Sequence, residues 1–82
     1  MARIIDGNKM NMVGAKVRQL RVEQGMSQQT LSDRLETVAV YICRGSVSRI
    51  EDGQRTVTDI ELHGLAHVLG VPVQTLFEEA AQ

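Results

Sequence analysis

Few side chains in this chain could carry out catalysis or bind a metal ion. The only cysteine is Cys43, and the only histidines are His63 and His67. Because the histidines are four residues apart, they project to the same side of a helix, as two ligands of a zinc site do. No third ligand follows at metal spacing, so we expect two surface histidines, no metal or cofactor, and no enzymatic activity. We expect Cys43 to be a small, partly buried apolar residue, the alternative being a redox sensor whose pKa is lowered by Arg44 and a helix N-terminus. As a single thiol it has no partner for a disulfide within the chain.

Charged residues are distributed unevenly along the chain. All nine basic residues lie at or before Arg55, and together with six acidic residues they give residues 1–55 a net charge of +3. Residues 56–82 contain four acidic residues and no lysine or arginine, a net charge of −4. The net charge of −1 for the whole chain would argue against nucleic-acid binding. Nucleic-acid binding is nevertheless possible if residues 1–55 form a basic face toward the phosphates and residues 56–82 form an acidic face away from them.

Length and composition indicate one small domain with an aliphatic core. The chain has 82 residues, of which 43% are hydrophobic, with one Phe, one Tyr and no Trp. This length provides for a single core, and the shortage of aromatic residues argues against a surface on which nucleic-acid bases stack. No apolar run approaches the ~20 residues of a membrane span. We therefore expect a cytoplasmic protein that does not associate with membranes.

Helical periodicity predicts an all-α protein of five helices. The first helix is predicted over residues 12–24, with Asn11 as a possible N-cap and with apolar residues at helical spacing at Val13, Val17 and Leu20. Ser27 is a good N-cap and predicts a second helix whose inward residues are Leu31 and Leu35. Residues 37–43 are β-branched and apolar, but no second run could pair with them as a strand. We interpret this segment as a linker with buried anchors.

The second half of the chain contains clear helix start and stop signals. A short third helix is predicted over residues 44–52, ending at Gly53. Thr58 and Glu61 have capping-box spacing, so the fourth helix should begin near Asp59, and Gly70 should end it. Pro72 suits the first turn of a fifth helix with three apolar residues: Val73, Leu76 and Phe77. Residues 1–11 lack periodicity and are predicted to be a flexible N-terminal arm, which leaves residues 12–82 as the domain.

Two short helices with polar outer faces, held by a small core, meet the requirements of a helix-turn-helix. Three segments, VRQLRVEQGMSQQTLSDRL, SVSRIEDGQR and ELHGLAHVLGVPVQTLF, together resemble the DNA-binding domain of lambda repressor, Cro and the XRE regulators. The resemblance covers about residues 13–77 and implies the five-helix lambda repressor-like fold. This chain departs from the family in an extended loop between helices 2 and 3, about five residues longer than the family turn. It also has Ser32 where the family usually has alanine.

The resemblance implies which residues contact DNA. It places Gln28 at the start of the second helix, where family members hold a DNA phosphate. Arginine on the outer face of the third, recognition helix can form a bidentate contact to guanine, and Arg49 is the strongest candidate for reading a base. Gln54 and Arg55 follow that helix, at the position of the flanking phosphates. The full set of predicted contacts is Gln28, Arg44, Gly45, Ser46, Ser48, Arg49, Gln54 and Arg55.

The resemblance also implies a structural ion pair between Arg21, at the end of the first helix, and Glu51 of the third. Such a pair fixes the recognition helix against the scaffold and makes no contact with DNA. If it is well buried, removing one partner leaves the other charge unpaired at a cost of ~3 to 5 kcal/mol.

These features together predict a sequence-specific DNA-binding transcriptional regulator, a repressor on a palindromic operator. A single recognition helix reads only about four to five base pairs, so a homodimer is expected, with Val73, Leu76 and Phe77 at its interface. Leu76 has an alternative role in the monomer core. Two other functions remain open: an antitoxin-like module whose main partner is another protein, and, more weakly, a metal-dependent enzyme built on His63 and His67. The expected partner is double-stranded DNA, and no small-molecule ligand is evident.

Overall fold

The computed structural model describes residues 7–80, which form four α-helices and a 3-10 helix, with no β-strand in this part of the chain. The helices are α1 (Gly14–Glu23), α2 (Gln28–Glu36), α3 (Arg44–Glu51) and α4 (Asp59–Leu69), followed by a 3-10 helix at Val73–Phe77. The all-α class is therefore confirmed. Of the arm predicted over residues 1–11, residues 1–6 lie outside the described part.

Capping side chains set the starts of α2 and α4. The Ser27 hydroxyl accepts a hydrogen bond from the Thr30 backbone N–H at 3.0 Å. Thr58 and Glu61 form a complete capping box, in which each side chain accepts the other residue's backbone N–H at 3.1 Å. These contacts satisfy amides that the first turn of a helix leaves without partners. The predicted starts of both helices are confirmed.

The core is aliphatic and receives side chains from every helix. Its largest fully buried residues are Leu31, Leu35, Ile50, Leu65, Leu76, Val17 and Val47. Burying a side chain of this kind stabilises the fold by ~1.5–3 kcal/mol, so these positions fix how the helices pack. The remaining faces of α2 and α3 are thereby left toward solvent.

The predicted fifth α-helix is instead a five-residue 3-10 helix, and Leu76 does not lie at a surface. The element is closed by i→i+3 bonds, with the Thr75 N–H donating to the Pro72 carbonyl at 3.0 Å and the Glu78 N–H to the Thr75 carbonyl at 3.1 Å. It packs on both α1 and α4, which buries Leu76 completely. Leu76 is therefore a core residue of the monomer, the alternative role predicted from the sequence, and it has no exposed surface to offer a dimer interface.

The long connector between α2 and α3 has no regular structure, but it is anchored at two points. Val40 is buried against Gly64 of α4, where a Cβ atom would come within 2.6 Å of a Val40 methyl group. Ile42 is also buried, and its carbonyl accepts a hydrogen bond from the Ser32 hydroxyl at 2.6 Å. The serine that departs from the family pattern thus holds the connector, and the prediction of an extended loop with buried anchors is confirmed.

Residues 9–11, predicted as part of a flexible arm, are instead hydrogen-bonded to the domain, with Lys9 Nζ donating to the Asp52 carbonyl and the Met10 N–H to the Gly53 carbonyl. The Asn11 side-chain oxygen accepts from the backbone N–H groups of Val13 and Gly14 at 3.0 and 2.8 Å. Its Nδ2 donates to the carbonyls of Ile50 and Arg55 at 3.0 and 2.8 Å. One amide therefore caps the approach to α1 and holds the end of α3. Periodicity missed this segment because its order depends on hydrogen bonds and not on apolar spacing.

We expect Asn11→Ala to lower the free energy of unfolding by about 2 kcal/mol. The substitution removes the hydrogen bonds of the Val13 and Gly14 N–H groups and of the Arg55 carbonyl, all partly buried, whereas the Ile50 carbonyl keeps its bond from the Gly53 N–H. Urea denaturation followed by circular dichroism would measure the loss. The matched control is Gln29→Ala, because the Gln29 side chain is exposed and bonds only within α2, to Asp33. Equal free energies of unfolding for the two variants would show that the hydrogen bonds of Asn11 do not stabilise the domain in solution.

Candidate nucleic-acid interface

The outer face of α3 is basic and carries no carboxylate. Arg44, Gly45 and Arg49 are exposed, and Ser48 is half-buried beside them. On the opposite side of the helix, Val47, Ile50 and Glu51 are buried. The only acidic residue of α3 is therefore directed into the domain, and the solvent-facing side presents two guanidinium groups and small polar residues.

The Arg49 side chain extends back along α3 toward its N-terminus, the usual direction for a long side chain on a helix. Its Nη2 donates to the Ser46 hydroxyl at 3.0 Å. Its Nη1 lies 3.9 Å from the position that a Cβ of Gly45 would occupy. A small residue at position 45 thus leaves room for the guanidinium over the first turn of α3, next to Arg44.

Cys43 is the N-cap residue of α3, but its side chain does not cap the helix. It is exposed, which corrects the expectation of a partly buried apolar residue. The thiol lies 3.4 Å from the Ser46 hydroxyl. Hydrogen bonding with the Ser46 side chain and backbone lowers the pKa of Cys43, and the charge of Arg49 acts in the same direction.

Arg21 and Glu51 form a buried, two-pronged ion pair. Arg21 Nε donates to Glu51 Oε2 at 2.6 Å, and Nη2 donates to Oε1 at 3.0 Å. The third donor group of Arg21, Nη1, donates to the Met26 carbonyl at 2.8 Å. The side chain of Glu51 is 1% exposed, so its charge is balanced inside the domain. The pair joins α1, the α1–α2 turn and α3 through side chains.

Gln28, the first residue of α2, is connected to the same ion pair. Its Nε2 donates to Glu51 Oε1 at 3.1 Å, and its side chain is half-buried. Sequence analysis predicted only a phosphate contact for Gln28. It could not predict the contact with Glu51, because a glutamine at the start of a helix does not indicate a partner 23 residues away. The structure brings the start of α2 and the inner face of α3 together through this contact.

Arg55 lies in the turn after α3 and forms a second two-pronged ion pair, with Glu61 of α4. Its Nη1 and Nη2 donate to the two carboxylate oxygens at 2.9 and 2.8 Å, and Nη1 also donates to the Thr56 carbonyl at 2.9 Å. Hydrogen bonding to Arg55 lowers the pKa of Glu61, and the same contact raises the pKa of Arg55. Gln54 beside it is exposed. Sequence analysis did not predict this pair.

Comparison with known proteins agrees with this arrangement of helices. A family model described as a helix-turn-helix domain matches residues 13–80. The chain belongs to the helix-turn-helix domain family. The predicted resemblance is thereby confirmed, with α2 and α3 as the helix-turn-helix and four α-helices plus a 3-10 helix in place of five helices.

Two solved structures are similar to this helix-turn-helix domain. One is the restriction-modification controller protein C.AhdI from Aeromonas hydrophila, with 32% identity, a TM-score of 0.70, and coverage of 79% of this chain and 87% of that one. The other is the DNA-binding domain of BldD, with 33% identity, a TM-score of 0.68, and coverage of 88% and 97%. No curated protein matches the chain.

The remaining chemically interesting residues lie outside the helix-turn-helix. His63 and His67 are exposed on α4. Within residues 7–80, no three or more His, Cys, Asp or Glu side chains are grouped so as to hold a metal ion. In the same part of the chain, no helix has the length and apolar character needed to cross a bilayer.

We expect Glu51→Ala to lower the melting temperature of the domain far more than Ser48→Ala, one turn away on the outer side of α3. Removing Glu51 leaves the Arg21 charge buried without a partner, which costs ~3 to 5 kcal/mol, and it also removes the acceptor of Gln28. Thermal denaturation of both variants at neutral pH makes the comparison. Similar melting temperatures would mean that the pair does not position α3.

Proposed function

We propose that the chain is a sequence-specific DNA-binding transcriptional regulator whose α3 enters the major groove. The observation that carries this proposal is the outer face of α3, which has Arg44 and Arg49 and no acidic side chain because Glu51 is buried against Arg21. DNA repels exposed carboxylates, and arginine provides the bidentate donors that guanine accepts in the major groove. Membership of the helix-turn-helix family supports the proposal, as does the printed description of the BldD structure as a DNA-binding domain.

Under this proposal the predicted contact residues divide into base readers and backbone contacts. Arg49 and Arg44 read base edges, with Gly45, Ser46 and Ser48 allowing close approach of α3. Gln28, Gln54 and Arg55 meet the phosphates on either side of the groove, where contacts set the orientation of the protein without reading sequence. The excess of positive charge in residues 1–55 supports the same face, because phosphate contacts supply most of the non-specific affinity.

We further propose a homodimer that acts as a repressor on a palindromic operator. One recognition helix reads too few base pairs to select a site in a genome, whereas two helices related by a two-fold axis read two half-sites. Phe77 is 50% exposed and Val73 is half-buried, so these two residues of the predicted interface are still accessible to a second copy of the chain. Phe77 lines a groove together with the exposed Met10 and Met12. A dimer bound at an operator excludes other proteins from the DNA that it covers.

The experiment for DNA recognition compares Arg49→Ala with the unaltered protein on an operator recovered from random duplexes. We expect Arg49→Ala to lose ~1 to 3 kcal/mol of binding free energy on that operator and to relax base preference at one position of each half-site. Binding to an unrelated duplex should scarcely change. Fluorescence anisotropy measures both. Arg18→Ala is the control, since Arg18 is exposed on α1, outside the helix-turn-helix. Equal weakening of both duplexes would make Arg49 a phosphate contact.

The experiment for dimerisation is light scattering at about 0.1 mM protein, where a functional dimer should be fully assembled. We expect twice the mass of one chain for the unaltered protein and a monomer for Phe77→Ser. Ile60→Ser, which removes a 71% exposed apolar side chain from α4, should remain dimeric. A monomeric mass for the unaltered protein would refute the dimer.

A further inference from the structure

We propose that Glu61 limits the affinity of this protein for DNA by holding Arg55 in an internal ion pair that a DNA phosphate must displace. The inference rests on the proposed function, since it concerns one of the backbone contacts. It adds a residue on α4, whose carboxylate occupies the donors that Arg55 would offer to DNA.

The geometry of the pair resembles the geometry of an arginine–phosphate contact. Two guanidinium nitrogens donate to two oxygens of one anion, at 2.9 and 2.8 Å, which is the bidentate arrangement that arginine also forms with phosphate. The Arg55 side chain is 27% exposed and the Glu61 side chain 15% exposed. The guanidinium is therefore within reach of a ligand in solution, while its charge is already neutralised from the inside.

Both partners are held in place by other contacts. The Arg55 carbonyl accepts from Asn11 Nδ2 at 2.8 Å, and the neighbouring Gln54 N–H donates to the Arg49 carbonyl at 2.8 Å. The turn therefore stays at the end of α3, next to the basic face. Glu61 is fixed by its capping-box contact with Thr58, so the carboxylate cannot swing away without loss of the cap. A phosphate contact by Arg55 consequently requires the internal pair to open or be shared.

The Glu61 side chain has two roles, as part of the capping box of α4 and as the partner of Arg55, and Glu61→Gln separates them. A glutamine at this capping-box position can still accept the Thr58 N–H through its carbonyl oxygen. That oxygen also accepts from Arg55 Nη1 and can continue to do so. The NH₂ group, however, replaces the oxygen that accepts from Arg55 Nη2, so that two donors face each other and the negative charge is gone. The substitution should therefore keep α4 capped and release the guanidinium, whereas loss of a purely structural residue would weaken folding and DNA binding together.

The test is a double-mutant cycle of Glu61→Gln and Arg55→Gln on a labelled duplex of arbitrary sequence, titrated by anisotropy at salt concentrations from about 0.05 to 0.2 M. We expect Glu61→Gln to bind roughly three- to tenfold more tightly at each salt concentration, because the phosphate contact of Arg55 no longer has to open the internal pair, although its melting temperature falls. In the Arg55→Gln background the same substitution should have little effect. Asp59→Asn removes a neighbouring exposed charge that has no arginine partner, and it should raise the affinity much less than Glu61→Gln does.

The inference is overturned if Glu61→Gln binds DNA no more tightly than the unaltered protein. It is also overturned if Glu61→Gln raises the affinity equally in the Arg55→Gln background, because the Glu61 charge would then act by repelling DNA and not by holding Arg55. Failure of the proposed function gives a different result. In that case the unaltered protein binds neither this duplex nor any duplex from a random pool.

Discussion

The buried ion pair between Arg21 and Glu51 is the contact on which both the position and the charge of α3 depend. All three nitrogen positions of the Arg21 guanidinium are used, two on Glu51 and one on the Met26 carbonyl. A buried pair of this kind adds little net stability over apolar packing, but it is costly to break. Because Glu51 points inward, the outer face of α3 carries arginines without a carboxylate. The same contact thus serves folding and the proposed DNA contact.

The turn after α3 is held from two sides by contacts distant in sequence. Asn11 bonds the carbonyls at positions 50 and 55, and Glu61 bonds the Arg55 guanidinium. At the other end of α3, Ser32 and the buried Ile42 fix the connector. The C-terminal end of α3 is therefore held by residues outside the helix-turn-helix, and its N-terminal end is held by α2 and the connector. Since a small shift of a binding residue has a large effect on affinity, this rigidity supports the proposed function.

Helix starts were predictable from the sequence because their signals are local. Ser27 and the Thr58–Glu61 capping box each act within one turn, and Gly53 and Gly70 adopt the positive φ expected of a helix stop. The fifth helix was predicted wrongly because apolar spacing over five residues does not distinguish an α-helix from a 3-10 turn. Leu76, within it, is buried by α1 and α4 together. The contacts of Gln28 and Arg55 with glutamates were also missed, because side-chain pairs between elements leave no periodic pattern.

The most direct test of the account is NMR mapping of backbone amide shifts during titration of the labelled protein with a DNA duplex. The account predicts that perturbed amides cluster at the start of α2, along α3 and in the turn at residues 54–55, with α4 residues such as His63 and His67 unaffected. Perturbation centred on α4 and the 37–40 connector, with α3 unchanged, would contradict it. So would a spectrum that does not respond to DNA.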